Sequence, residues 1–172
     1  RVHLDGDDGP THVEAEVVLL AVGRRPNGDR LDAASGGLDL HPDGRVVVDA
    51  ELRTTAPGVW ALGDVSAEHQ LKHVANHEAR IVAHNLAVDL GRTAGPSRRT
   101  DDRPVPHAVF GHPQVASFGP TSAELDAAGT PYVTATQRVG DTAYGWALED
   151  TTGLLIIHAD PAGQILAAHC LG

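Results

Sequence analysis

A chain of 172 residues, 41% of them hydrophobic, has the length for one or two folded domains and too much apolar content for a disordered polymer. Its 23 acidic residues against 13 lysines and arginines give a net charge of −10, which disfavours nonspecific binding to nucleic acid or to anionic membranes. The single cysteine, Cys170, excludes an internal disulfide and an internal redox dithiol. No uninterrupted apolar run has the length of a membrane span, and no stretch reads as a signal peptide.

In chain order, residues 1–4 and 12–22 are predicted strands, joined by the turn-rich Asp5-Gly6-Asp7-Asp8-Gly9-Pro10. The second strand ends at Gly23, and Pro26-Asn27 breaks regular structure. Residues 31–35 suit a short helix closed by Gly36-Gly37. Asp43-Gly44 is a hairpin-type turn before an alternating strand over 45–49, and Pro57-Gly58 leads into a strand over 59–62. A long helix is predicted over 68–90, with Ser66 as N-cap and an apolar stripe of Leu71, Val74, Ala75, Val82 and Leu86. Residues 92–106 carry three prolines and read as a linker. A second unit follows, with strands near 108–110, 132–138, 154–158 and 165–170 and a helix over 122–128 capped by Thr121. Strands followed by hairpins predict an antiparallel α+β unit. Cys170, inside an apolar final strand, is expected to be a small buried residue.

The segment Val59-Trp60-Ala61-Leu62-Gly63-Asp64-Val65 carries the most chemistry. An uncharged apolar run suits a strand buried on both faces. Gly63 lets a ligand approach the backbone closely. Asp64 then falls at the carboxyl end of that strand, where open α/β sheets bind ligands, and its carboxylate can accept hydrogen bonds from ligand hydroxyls. The first turn of the helix that follows offers unpaired N–H groups and roughly half a positive charge. His73 and His77 stand four apart on that helix, but no third ligand has a fixed place, so they read as polar helix positions and no metal is expected. His107 and His112 read as structural.

Three segments together resemble the pyridine nucleotide-disulfide oxidoreductase family. They are Gly58–Val65, the strand Val17–Val22 closed by Gly23-Arg24-Arg25-Pro26-Asn27, and Pro106-His107-Ala108-Val109-Phe110-Gly111-His112-Pro113 with the residues up to Gly119. The resemblance implies part of a three-layer α/β FAD/NAD(P)-binding fold followed by an α+β interface (dimerisation) domain. It implies that residues 1–25 end an NAD(P)-binding domain, 26–92 continue an FAD-binding domain, 93–104 link, and 105–172 are part of the dimerisation domain. By the same resemblance, Gly63 and Asp64 hold the ribityl chain of FAD. Leu71, Lys72 and His73 line the flavin edge, and Gly23 and Arg24 approach the dinucleotide at the domain junction, with NADPH as the reductant.

Gln70-Leu71-Lys72-His73-Val74-Ala75-Asn76-His77-Glu78-Ala79-Arg80 and Gly140–Asp150 are similar to the mycothione reductase branch rather than the dihydrolipoamide dehydrogenase branch. That implies a cytoplasmic homodimer acting on a small-molecule disulfide, mycothione. The sequence contains no methionine and begins with Arg1, so it is expected to be a piece of a longer product. The family's Cys-x-x-x-x-Cys, both glycine-rich fingerprints and its His-Glu pair are not in it, so no catalytic residue is assigned and the chain alone is not expected to catalyse. The alternatives are another disulfide reductase of the family, or a stand-alone dimerisation or binding module without catalysis.

Overall fold

The computed structural model describes residues 1–7, 9–100 and 104–172. The chain opens on a hairpin of β1 (Val2–Gly6) and β2 (Gly9–Val13), paired from Val2↔Val13 to Gly6↔Gly9. The strand predicted over 12–22 stops at Val13. Residues 17–22 pair with nothing among the described residues, and Val17, Leu19, Leu20 and Val22 are 80–92% exposed. An isolated strand cannot satisfy its backbone groups within itself, so apolar alternation without a neighbour does not make a ladder.

The next section is built from short hairpins rather than long strands. The helix predicted over 31–35 is instead a 3-10 turn, Asn27–Arg30, followed by turns. The strand expected over 45–49 makes only single bridges, Leu40↔Val46 and Val48↔Thr54. The strand over 59–62 likewise reduces to one bridge, Arg53↔Trp60. It meets the 52–54 segment on one side only, with Ala61 N–H on Leu52 C=O at 3.2 Å and Thr54 N–H on Val59 C=O at 2.9 Å. A central strand needs partners on both sides, and none lies on the other side among the described residues. Val46 and Leu52 are the buried apolar centre of this section. Arg53 binds it to the long helix, with both guanidinium ends on Asp89 at 2.8 and 2.9 Å and its plane 4.9 Å from the Trp60 ring.

Helix α1 spans Lys72–Asp89, with Leu71 as N-cap, and so begins later than predicted. Ser66 does not cap it but closes a 3-10 turn, Gly63–Val65, and its buried hydroxyl has no partner among the described residues. The expected apolar stripe is also out of phase: Leu86 is exposed, and the buried line is Glu78, Ile81 and Asn85. Asn85, fully buried, clamps three backbone groups. It donates to Arg98 C=O at 2.8 Å and Glu51 C=O at 3.3 Å, and accepts from Arg98 N–H at 2.7 Å. Thr100 N–H bonds Ala50 C=O at 2.8 Å. The first half of the predicted linker is thereby fastened to the hairpins, while residues 101–103 lie outside the described residues.

The second part holds one antiparallel sheet in the order β3-β4-β7-β6-β5. Its strands are β3 (His107–Val109), β4 (Val115–Phe118), β5 (Val133–Arg138), β6 (Leu154–Ala159) and β7 (Ile165–Leu171). Helix α2 (Ser122–Ala127) starts on the predicted cap, Thr121, within a capping box in which Thr121 and Glu124 satisfy each other's backbone N–H groups. A short α3 (Ala143–Ala147) carries the exposed Tyr144 and Trp146. The strands β6 and β7 are interior, so the apolar residues 154–157 and 165–168 lie within the sheet, alternating between its two faces. Cys170 is exposed, contrary to expectation, because β7 turns it away from α2.

One polar chain ties α2 to the sheet. His169 Nε2 lies 3.2 Å from Pro120 C=O, which can only accept, so that nitrogen carries the proton. Its Nδ1 is hydrogen-bonded to Ser117 Oγ at 2.7 Å. Gly119 is required beside it: at φ +77° a Cβ there would strike the Leu166 carbonyl and Ala167.

Replacing Asn85 by alanine removes the partner of Arg98 N–H and of two carbonyls, in a part-buried setting. We expect a loss of about 2–3 kcal/mol of stability, measured as a lowered urea midpoint with an unchanged slope.

Candidate functional site

The site grows from the turn at Gly63. Its φ of +70° is a left-handed conformation, and a Cβ there would come within 3.1 Å of the Ala75 Cβ on α1. Only glycine brings the turn this close to the helix. Glu78, one turn further along α1, accepts the Gly63 N–H at 2.6 Å in a buried setting. The end of the turn is held as well, by Val46 N–H on Val65 C=O at 2.8 Å. Asp64 is thus fixed at its backbone while its carboxylate remains half-exposed and accepts no hydrogen bond among the described residues.

Beside Asp64 stands Arg24. Its Nη1 donates to Gln70 C=O at 2.9 Å and lies 3.9 Å from Asp64 Oδ2. The two residues share a cleft of about 410 Å³ with Arg25, Pro26, Asn27 and Gln70. Gly23, at φ +102°, has open space on its Cα. Leu71, Lys72 and His73 lie elsewhere, at the head of α1. They line a largely apolar cleft of about 780 Å³ against β3, β4 and β7, where Phe110, Phe118, Leu155 and Cys170 face them. Among the described residues no side chain caps α1, so its first-turn N–H groups can meet an acceptor. The structure therefore joins Arg24 to Asp64 and Gly63, and sets Leu71, Lys72 and His73 apart from them.

His73 and His77 border a third cleft of about 900 Å³ with Asp49, Glu68 and His69. No group of three or more His, Cys, Asp or Glu suited to a metal occurs among the described residues. Glu78, which supports the site from beneath, and Asn85, which holds the connection, are the residues that sequence reasoning missed. Their signal was available: each falls on the Val74–Ile81–Val88 phase of the helix, where a polar residue must have a buried partner.

Burial pushes the Glu78 carboxyl above its ordinary value of 4.5, and the Gly63 N–H pulls it partly back. The folded protein therefore holds the Glu78 proton more tightly than the unfolded chain does. Its contribution to stability is fully present below pH 4.5 and is lost as pH rises through the raised value. Glu78→Gln keeps an acceptor for Gly63 but cannot titrate. The melting temperature of the natural protein should therefore fall relative to that of Glu78→Gln as pH rises above 4.5, with a pH-independent difference counting against the assignment.

With this geometry in hand, the comparisons identify the class. The pyridine nucleotide-disulphide oxidoreductase family matches residues 2–79, and the dimerisation domain of the same family matches residues 105–172. The chain belongs to this family. It is 49% identical over 167 residues to mycothione reductase of Mycobacterium tuberculosis (strain ATCC 25618 / H37Rv), covering 96% of this chain and 36% of the relative. Mercuric reductase of Streptomyces lividans is 36% identical over 98% of this chain and 34% of its own length. Among solved structures, the HOCl-induced flavoprotein disulfide reductase RclA from Escherichia coli matches with a TM-score of 0.80 at 29% identity, over 98% of this chain and 38% of that one. The chain thus spans about a third of the length of the curated relatives it matches. The fold class is the expected one, a flavoprotein disulfide reductase fold with a dimerisation domain.

Proposed function

We propose that this chain works within an FAD-dependent, NADPH-using disulfide reductase, and that the disulfide is mycothione. Residues 1–25 then end the NAD(P)-binding domain, 26–92 complete the FAD-binding domain, 93–104 link, and 105–172 belong to the dimerisation domain. One observation carries the reading: a carboxylate with no hydrogen-bond partner, Asp64, on a glycine turn clamped from beneath by a buried acid. A dimerisation module without catalysis has no use for that arrangement. The 49% identity to mycothione reductase supports the substrate.

The groups present suit FAD. Asp64 can accept from ribityl hydroxyls, and Gly63 lets them approach the backbone. The uncapped start of α1 presents the N–H groups of Lys72 and His73 to a carbonyl edge, where its positive end favours developing negative charge. Gly23 admits a dinucleotide close to the chain. FAD, when bound, supplies the path for electrons from NADPH to the disulfide. The exposed apolar segment 17–22 suits burial against further strands of a longer polypeptide, and the reductase acts in the cytoplasm.

In a full-length reductase carrying this sequence, Asp64→Ala removes a charge-assisted hydrogen bond of about 1.5–3 kcal/mol. FAD affinity should drop by roughly ten- to a hundredfold, seen as loss of visible flavin absorbance on dilution. Unchanged retention defeats the assignment. The second part exposes Phe110, Tyr144, Trp146 and Leu148, each at least 60% accessible, and we expect it to mediate a homodimer. Light scattering that gives a stable monomer for the full-length enzyme contradicts this.

A further inference from the structure

Arg24 and Asp64 form a weak pair by themselves. Their side chains are 68% and 51% exposed, and 3.9 Å is the far limit of an ion pair. Such a pair adds little to stability. The same Nη1, however, makes a well-formed 2.9 Å bond to the Gln70 carbonyl. Gln70 directly precedes Leu71, the N-cap of α1. One guanidinium therefore spans the two places that hold flavin-binding groups: the carboxylate after Gly63 and the loop that ends at the helix start. Among the described residues, the other backbone ties at the far end of that loop, residues 66–71, are local ones: Leu71 N–H to His69 C=O at 2.8 Å and Ala75 N–H to Leu71 C=O at 3.1 Å. Arg25, the neighbouring cation, turns instead to Asp29 at 3.5 Å and supplies no substitute.

We infer that Arg24 is a positioning residue, which holds Asp64 and the Gln70 carbonyl in one register and so sets the spacing between the ribityl-binding carboxylate and the uncapped end of α1. Its role is not contact with the nicotinamide dinucleotide. The inference rests on the proposed flavin site. Arginine suits the task because its planar fork has donors for both a carbonyl and a carboxylate; a lysine ammonium is a point charge on a flexible stem.

The test uses the full-length holoenzyme, its FAD dissociation constant, its NADPH dissociation constant, and amide exchange over residues 66–73. Arg24→Ala should weaken FAD about tenfold, leave NADPH affinity unchanged and quicken exchange over 66–71. Arg24→Lys, which folds if the alanine variant does not, should keep the charge and yet show the same faster exchange. In an Asp64→Ala background the further effect of Arg24→Ala on FAD should shrink to about threefold, because one of the two groups it holds is gone. If Asp64→Ala loses FAD while Arg24→Ala binds it normally, the positioning role falls and the flavin site stands. Should both variants bind FAD normally, the flavin site itself is wrong. Weakened NADPH with unaltered FAD, or fully additive losses, would show that Arg24 acts by direct contact, and would overturn the inference.

Discussion

Everything at the candidate site is placed relative to one buried hydrogen bond, from the Gly63 N–H to the Glu78 carboxylate. A buried acid is costly unless it has a partner, and here the partner is a backbone group that cannot move sideways without moving Asp64. The helix gains a fixed contact at its second turn, and the turn gains a rigid floor. The left-handed Gly63 then allows the two backbones to approach until Ala75 touches the glycine. A larger residue at either position separates turn from helix. The Asp64 carboxylate is left pointing into its cleft with its lone pairs unused.

A second clamp, Asn85, does for the connection what Glu78 does for the site. An amide can both donate and accept, so one side chain satisfies both backbone groups of Arg98 and a carbonyl of the hairpin section. This holds residues 98–100 against the hairpins. The cleft lined by Leu71, Lys72 and His73 on one side and by β3, β4 and β7 on the other lies beyond that connection. The polar helix positions are therefore the structural ones, and α1 is only weakly amphipathic by composition. Its exposed Leu86 and Leu90 show the same inversion.

The sheet of the second part is tied to the start of α2 through one histidine, His169. His169 donates a hydrogen bond from Nε2 to Pro120 C=O and is hydrogen-bonded through Nδ1 to Ser117 Oγ, which joins β4, β7 and the start of α2. His158, buried on the same face, stacks edge-on against Tyr132 at 4.9 Å and meets Thr134 Oγ1 at 3.0 Å. The face under α2 is thus specified by directional bonds, and the opposite face is apolar and open.

Local chemistry was legible in the sequence. The Thr121 cap, the Asp43-Gly44 turn, and four of the five strands from 105 onward depend on neighbours within a few residues, so the chain itself determined them, whereas β4 (Val115–Phe118) and α3 (Ala143–Ala147) were not predicted. The residues of the Gly63-Asp64 turn and the Gly23-Arg24 turn were legible for the same reason, as was the family they belong to. Tertiary structure decided what depends on distant partners. Residues 17–22 and 59–62 have the pattern of strands and are not strands, because a ladder exists only when a second chain segment lies alongside. The start of α1 moved from 68 to Lys72 because the Gly63–Val65 turn uses Ser66 as its own closing residue. Arg24 reached Gln70, 46 positions away, and Glu78 reached Gly63, because the fold brought together groups that no local spacing relates.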